Sequence, residues 1–111
     1  MDIIFTNNRL KKLCNDKTRL VRQLGADRAN RVQKRLDDLN AASTLEDMRN
    51  LPGRCHELKG DRAGQLSLDL DHPHRLIFIP ANDPIPLKED GGLSWSEVTA
   101  VEILAIEDTH E

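Results

Sequence analysis

Three features of this 111-residue chain predict an α+β fold: a two-helix hairpin packed on a small antiparallel sheet, in the order β-α-α-β-β-β-β. Apolar residues recur at helical spacing through residues 10–39. They alternate with polar ones in segments between residues 54 and 107, and clusters of Gly, Pro, Asp and His divide those segments. Helix signals grouped before strand signals place the helices together on one face of an antiparallel sheet.

The elements follow in order. Residues 3–5 form a short apolar run, the first strand. Thr6, Asn7 and Asn8 offer capping oxygens for a helix whose stripe is Leu10, Leu13, Cys14, Leu20, Val21 and Leu24, with Gly25 as its stop. Asp27 is placed to cap a second helix with the stripe Ala29, Val32, Leu36 and Leu39. Ser43 and Thr44, followed by Glu46 and Asp47, start one more helical turn, which Leu51-Pro52-Gly53 ends. Strands are expected at 54–59, 65–70, 75–79 and 99–107. In the second of these Leu66, Leu68 and Leu70 alternate with Gln65, Ser67 and Asp69, which predicts one apolar face and one wet face. Turn residues fill 60–64 and 71–74, and an irregular excursion spans 81–96.

The length suits one domain, residues 1–111, with a modest core. A hydrophobic share of 38% against 32% charged residues indicates a soluble protein, and no apolar run is long enough to span a bilayer. Asp2 stands where a secretion signal would carry basic charge, so a cytoplasmic setting without membrane association is expected. Cys14 and Cys55 have no metal-ligand spacing and read as free thiols that pack as small hydrophobes. Residues 9–35 hold ten basic residues against two acidic ones, whereas residues 36–111 hold six against sixteen. Such segregation suits a polyanion or an acidic partner segment; the alternative is a pair of solvated helix faces.

Lys59, Arg62, Arg75 and His110 fall at strand ends and turns, where a rigid sheet commonly mounts polar chemistry. Three cations and a titratable imidazole are suited to gripping and cleaving a phosphodiester. Arg62 and Arg75 offer bidentate forks and Lys59 a point charge; the competing role for each is a surface ion pair. Arg54 could extend the phosphate track. His56 reads as a packed structural histidine on the face of Leu58, and His72 and His74 as solvent-facing turn residues. Trp95, Phe5 and Phe78 read as core. No His, Cys or Asp arrangement has metal spacing, and no cofactor is expected.

Residues 56–80, HELKGDRAGQLSLDLDHPHRLIFIP, together with the preceding helix pair and the closing Glu-Asp-Thr-His, resemble the HigB-like toxins of the RelE/ParE superfamily. The Gly-Asp-Arg-x-Gly-Gln turn, the Arg-Leu-Ile-Phe strand and the final acid-x-His carry the resemblance, which spans essentially the whole chain. It implies a RelE-like fold and metal-independent cleavage of messenger RNA in the ribosomal decoding site. It also implies neutralisation by a helix-turn-helix antitoxin of the HigA type, whose complex with the toxin contacts operator DNA. By position it makes Arg62, Arg75, Asp108 and His110 catalytic and Lys59, Arg62 and Arg75 RNA-binding, with no metal; Arg54 is added to the RNA-binding set from its place on the phosphate track alone. His110 would move protons, and Asp108, two positions earlier on a continuing strand, would orient its ring. The family's terminal motif commonly reads Asp-Tyr-His. Here Thr109 replaces the Tyr, and the chain has no Tyr at all. That absence motivates one alternative, a catalytically impaired toxin-like protein that binds a HigA-type antitoxin and tunes operon repression; a gyrase poison of the ParE kind is a third reading from the same superfamily, which the His-terminated motif disfavours.

Overall fold

The computed structural model describes residues 1–108. Strand β1 (Asp2–Phe5) leads into α1 (Asn8–Cys14), α2 (Lys17–Leu24) and α3 (Ala26–Ala41). Strands β2 (His56–Glu57), β3 (Leu66–Asp69), β4 (His74–Pro80) and β5 (Ala100–Asp108) follow, with short 3₁₀ turns at Leu45–Met48, Gly60–Arg62 and Trp95–Glu97.

The α+β class holds, with two refinements. The first predicted helix is broken into α1 and α2. Asn15 closes α1, its amide donating to the Lys11 carbonyl at 2.9 Å. The Asp16 carboxylate then accepts from the Arg19 backbone N–H at 3.1 Å and starts a new helix. A side chain that caps so well diverts the chain from continuous helix. Gly25, at φ +86°, both ends α2 and begins α3. It therefore takes the capping position predicted for Asp27, which lies in the first turn of α3.

The second refinement concerns the sheet, which is mixed. Its strand order is β1-β5-β4-β3-β2, with β1 parallel to β5 and every other pair antiparallel. The helical segment between β1 and β5 supplies the long crossover that a parallel pair requires.

The core lies between this sheet and the helices. Leu20, Ala29, Val32 and Leu39 meet Leu66, Leu68, Leu76, Phe78, Val101 and Ile103, all essentially inaccessible. Leu45 and Met48 close one end, where Thr44 and Asp47 form the predicted capping box. Trp95 packs into the core with its polar edge used: Nε1 donates to Glu57 at 3.0 Å, and the Arg49 guanidinium lies 3.9 Å above the ring. Among the described residues no helix is long and apolar enough to cross a membrane.

Candidate RNA-binding face

The sheet face turned away from the helices carries most of the charged residues singled out in the sequence. Pairing across the strands arranges it as a grid. One row runs His56, Ser67, Ile77 and Ala105; the next runs Asp69, Arg75 and Glu107. Arg54, two residues before His56, joins the second row by pairing with Asp69, Nε to Oδ2 at 2.9 Å. Arg75 approaches the same carboxylate at 3.5 Å.

A β-bulge sets which acid completes that row. Ile77 pairs with Ala105 but Phe78 with Ile103, so Leu104 is an extra residue on β5. The bulge shifts the alternation. Val101 and Ile103 face the core before it and Ile106 packs on the core after it. Glu107 consequently joins Arg75 on the outer face.

Arg62 reaches over this face from the turn before β3. Its Nε donates to Gln65 at 3.0 Å, and its two terminal nitrogens donate to Glu107 at 3.3 and 2.5 Å. Gln65 immediately precedes β3 and Glu107 stands on β5, so the guanidinium spans the face between them. Ser67 and Ile77 beneath are fully buried although Ile77 is not part of the core cluster. The wet face predicted from alternation is therefore only wet at its margins. The pairing with Glu107 raises the Arg62 pKa from an already high value, so the group is a fixed cation.

His56 differs from its sequence reading. It faces outward beside Ser67, half-buried, and its Nδ1 lies 2.7 Å from the Arg54 carbonyl. A carbonyl only accepts, so Nδ1 carries the hydrogen and the neutral ring presents a lone pair at Nε2. Arg54 itself adopts φ +49°, a left-handed conformation that is costly for a residue carrying a Cβ; it turns this carbonyl toward the ring.

The remaining expectations divide. Lys59 is exposed at the start of the 3₁₀ turn and makes no ion pair among the described residues. Asp108, at the exposed end of β5, lies opposite His74 and follows Glu107, so strand alternation gives it to the other face. There its charge acts on Arg28. His110 lies outside the described residues. His72 is exposed, whereas His74 is half-buried, with an Nδ1 that has no partner among the described residues. These two imidazoles, Arg54, Asp69 and Arg75 line a small cleft of about 110 Å³ at the margin of the grid. Such a cleft is well under the roughly 300 Å³ of the smallest usual ligand pockets and suits a single group. Glu107, Ser67 and His56 were the members of the face that sequence reasoning missed or discounted. Among the described residues no cluster of His, Cys, Asp and Glu is arranged to hold a metal ion.

Known proteins match the five-stranded sheet backed by helices. The match is by fold. A YoeB/ParE toxin from Agrobacterium tumefaciens superimposes with a TM-score of 0.61 at 13% identity, covering 99% of this chain and 100% of the other. The YoeB dimer from Staphylococcus aureus matches with a TM-score of 0.56 at 14% identity, covering 99% and 98%. A heterotetrameric YoeB–YefM toxin–antitoxin complex from the same organism gives 0.57 at 13% identity over the same shares. No protein-family model and no curated protein matches the sequence. The chain has the fold of these YoeB and YoeB/ParE toxins. Within that fold the matched structures are YoeB or YoeB/ParE toxins, and the narrower HigB reading rests on the Gly-Asp-Arg-x-Gly-Gln and terminal Glu-Asp-x-His motifs alone.

Proposed function

We propose that the protein is the toxin of a type II toxin–antitoxin pair, of the HigB-like kind, and a ribosome-dependent messenger-RNA endoribonuclease. The observation that carries this reading is the gathering of Arg54, His56, Arg62 and Arg75 on one uncovered sheet face. Cleavage without metal requires the ribose 2′-hydroxyl to attack its own phosphate. The His56 Nε2 takes the 2′-hydroxyl proton, while Arg62 and Arg75 hold the phosphorane-like charge. The P–O5′ bond then breaks, leaving a 2′,3′-cyclic phosphate and a 5′-hydroxyl. His110 of the terminal motif supplies the proton for the departing oxygen. Lys59 and Arg54 contact flanking phosphates.

The partners follow from the same reading. A HigA-type helix-turn-helix antitoxin would neutralise the toxin, and operator DNA would be reached only through that complex. The fold shared with a toxin solved in complex with YefM supports an antitoxin partner.

The test is to induce the protein alone in bacteria and map messenger-RNA 5′ ends within translated frames. In-frame cuts that vanish in Arg62→Ala and Arg75→Ala are expected. Soluble expression without growth arrest or cuts overturns the nuclease reading in favour of an antitoxin-binding, non-catalytic protein; gyrase trapped on broken DNA points to the ParE kind.

A further inference from the structure

Ser67 is the residue of the face that this chemistry leaves idle. It sits in the middle of the grid, opposite His56 on one side and Ile77 on the other, with none of its surface accessible. Its Oγ has no hydrogen-bond partner among the described residues. A buried hydroxyl left unpaired is costly, and such orphans mark places where a ligand or water is missing. On the same face Arg62 reaches from Gln65, two residues before Ser67, to the Glu107 carboxylate, which holds its guanidinium in a two-pronged grip. Two non-bridging oxygens of a phosphodiester fit the same fork.

We propose that Glu107 is an internal stand-in for the substrate phosphate and that the seat beneath Arg62, with Ser67 as its floor, takes an RNA phosphodiester once Glu107 swings away. The proposal rests on the nuclease reading and names the place of the phosphate within it. The incoming group exchanges with the carboxylate on the Arg62 fork, Gln65 keeps its hold on Nε, and the Ser67 hydroxyl donates to a phosphate oxygen. No covalent bond changes in this exchange. The Arg62 and Glu107 side chains are each about a third exposed, at 35% and 34%, so the pair is cheap to open. The charge balance also discriminates. A ground-state diester carries the same single negative charge as Glu107 and competes with it on even terms. The phosphorane-like transition state carries more charge and wins the fork outright. Glu107 thereby weakens the hold on passing RNA, and the cost of displacing it, once met on binding, adds nothing to the step from bound RNA to the reacting group.

The experiment uses the full chain with Glu107→Gln, which keeps the shape and removes the charge. The probe is a 2′-O-methyl RNA oligonucleotide, which cannot be cleaved. Glu107→Gln should bind it roughly two- to fivefold more tightly than wild type, the factor that a partly exposed ion pair represents. The Arg62 Nε–Hε NMR signal should move during the titration, and adding Ser67→Ala should abolish the gain. Glu107→Asp, whose shorter arm cannot span to the fork, should shift affinity in the same direction and serves if the first variant folds poorly. On ribosomes programmed with messenger RNA, Glu107→Gln should lower KM with little change in kcat. Equal affinities with an unmoved Arg62 signal overturn the seat, and they leave the nuclease reading standing if ribosomal cleavage persists. Tighter binding by Glu107→Gln without any cleavage supports the seat and removes the nuclease reading instead. Inorganic phosphate that moves the Arg62 signal as readily as RNA does, per phosphate, overturns the assignment to RNA.

Discussion

At Gly53 the local geometry is demanding. The backbone has φ +109°, and a Cβ there would lie 2.7 Å from Arg35 Nε and 3.1 Å from a Leu68 methyl. Arg35 is itself nearly inaccessible, and its Nε donates to the Asp69 carbonyl at 2.9 Å, while the Asp69 N–H donates to the Gly53 carbonyl at 2.7 Å. This knot under the sheet margin presents Arg54 and Asp69 to the outer face. Gly53→Ala should therefore cost about 1–3 kcal/mol, readable as a lowered urea midpoint, because it combines backbone strain with displacement of a buried cation. Three residues along, His56 is expected to act in catalysis. His56→Gln preserves a donor to the Arg54 carbonyl but has no basic nitrogen, so in-frame cutting should fall roughly 10²- to 10⁴-fold with stability nearly unchanged. Equal losses of stability and cutting would mean the ring only packs. Burial pushes the neighbouring Cys55 thiol up to about 12, the nearby Glu57 adding to the effect and Arg49 opposing it. Burial also raises Cys14 to about 11. Both thiols should resist iodoacetamide at neutral pH until the chain unfolds, since the thiolate is the reactive form.

Among the elements, β5 decides most. Its bulge at Leu104 turns Ile106 inward and Glu107 outward. Deleting Leu104 restores strict alternation, exposes Ile106 and drives a carboxylate toward the core. The expected result is loss of cooperative thermal unfolding rather than a modest shift in Tm. The same bulge explains what the sequence could and could not tell. Apolar periodicity located α3, β3, β4 and β5, because each buries a face whose period is visible in its Leu, Ile and Val positions. Arg62 and Arg75 were legible because turn and strand-end cations stand out against that pattern. Glu107 was not, because alternation counted through Val101, Ile103 and Ala105 assigns it to the core side, and nothing local in the residues announces an inserted one. His56 was misread for a related reason: its face was assigned by its match to Leu58, on a strand that narrows to two paired residues. The break between α1 and α2 was hidden by an apolar stripe that continues across it, although Asp16 was the available signal. Asp16→Ala should remove about 1 kcal/mol through loss of that cap.

Across the whole molecule, opposite charges sort by position in a way the chain's net charge of −3 conceals. Arg28 is committed inward, clasping Asp71 at 2.9 and 3.0 Å and holding that carboxyl below its ordinary 3.8. A lowered folded pKa contributes stability above the unfolded value, and that contribution disappears as pH falls through the lower folded one. The Tm advantage of wild type over Arg28→Ala should therefore be full at pH 7 and shrink below about pH 4. Arg19 and Arg31 meet Asp16 and Asp27 on their own helices. That leaves Arg9, Lys11, Lys12, Lys17, Arg22 and Lys34 exposed and without an ion pair among the described residues. Cations left unneutralised on helices behind the sheet are suited to a polyanion that holds the molecule while the opposite face works, and ribosomal RNA has that character. Removing one cation that neutralises a phosphate should lower the salt slope of binding by about one. Lys12→Gln with Lys17→Gln should thus weaken ribosome cosedimentation most at low ionic strength, flatten its dependence on salt, and leave unfolding unchanged, since neither side chain supports the fold. A cosedimentation curve that overlies wild type from about 50 to 200 mM salt would assign these cations to solvent and return ribosome recognition to the sheet face alone.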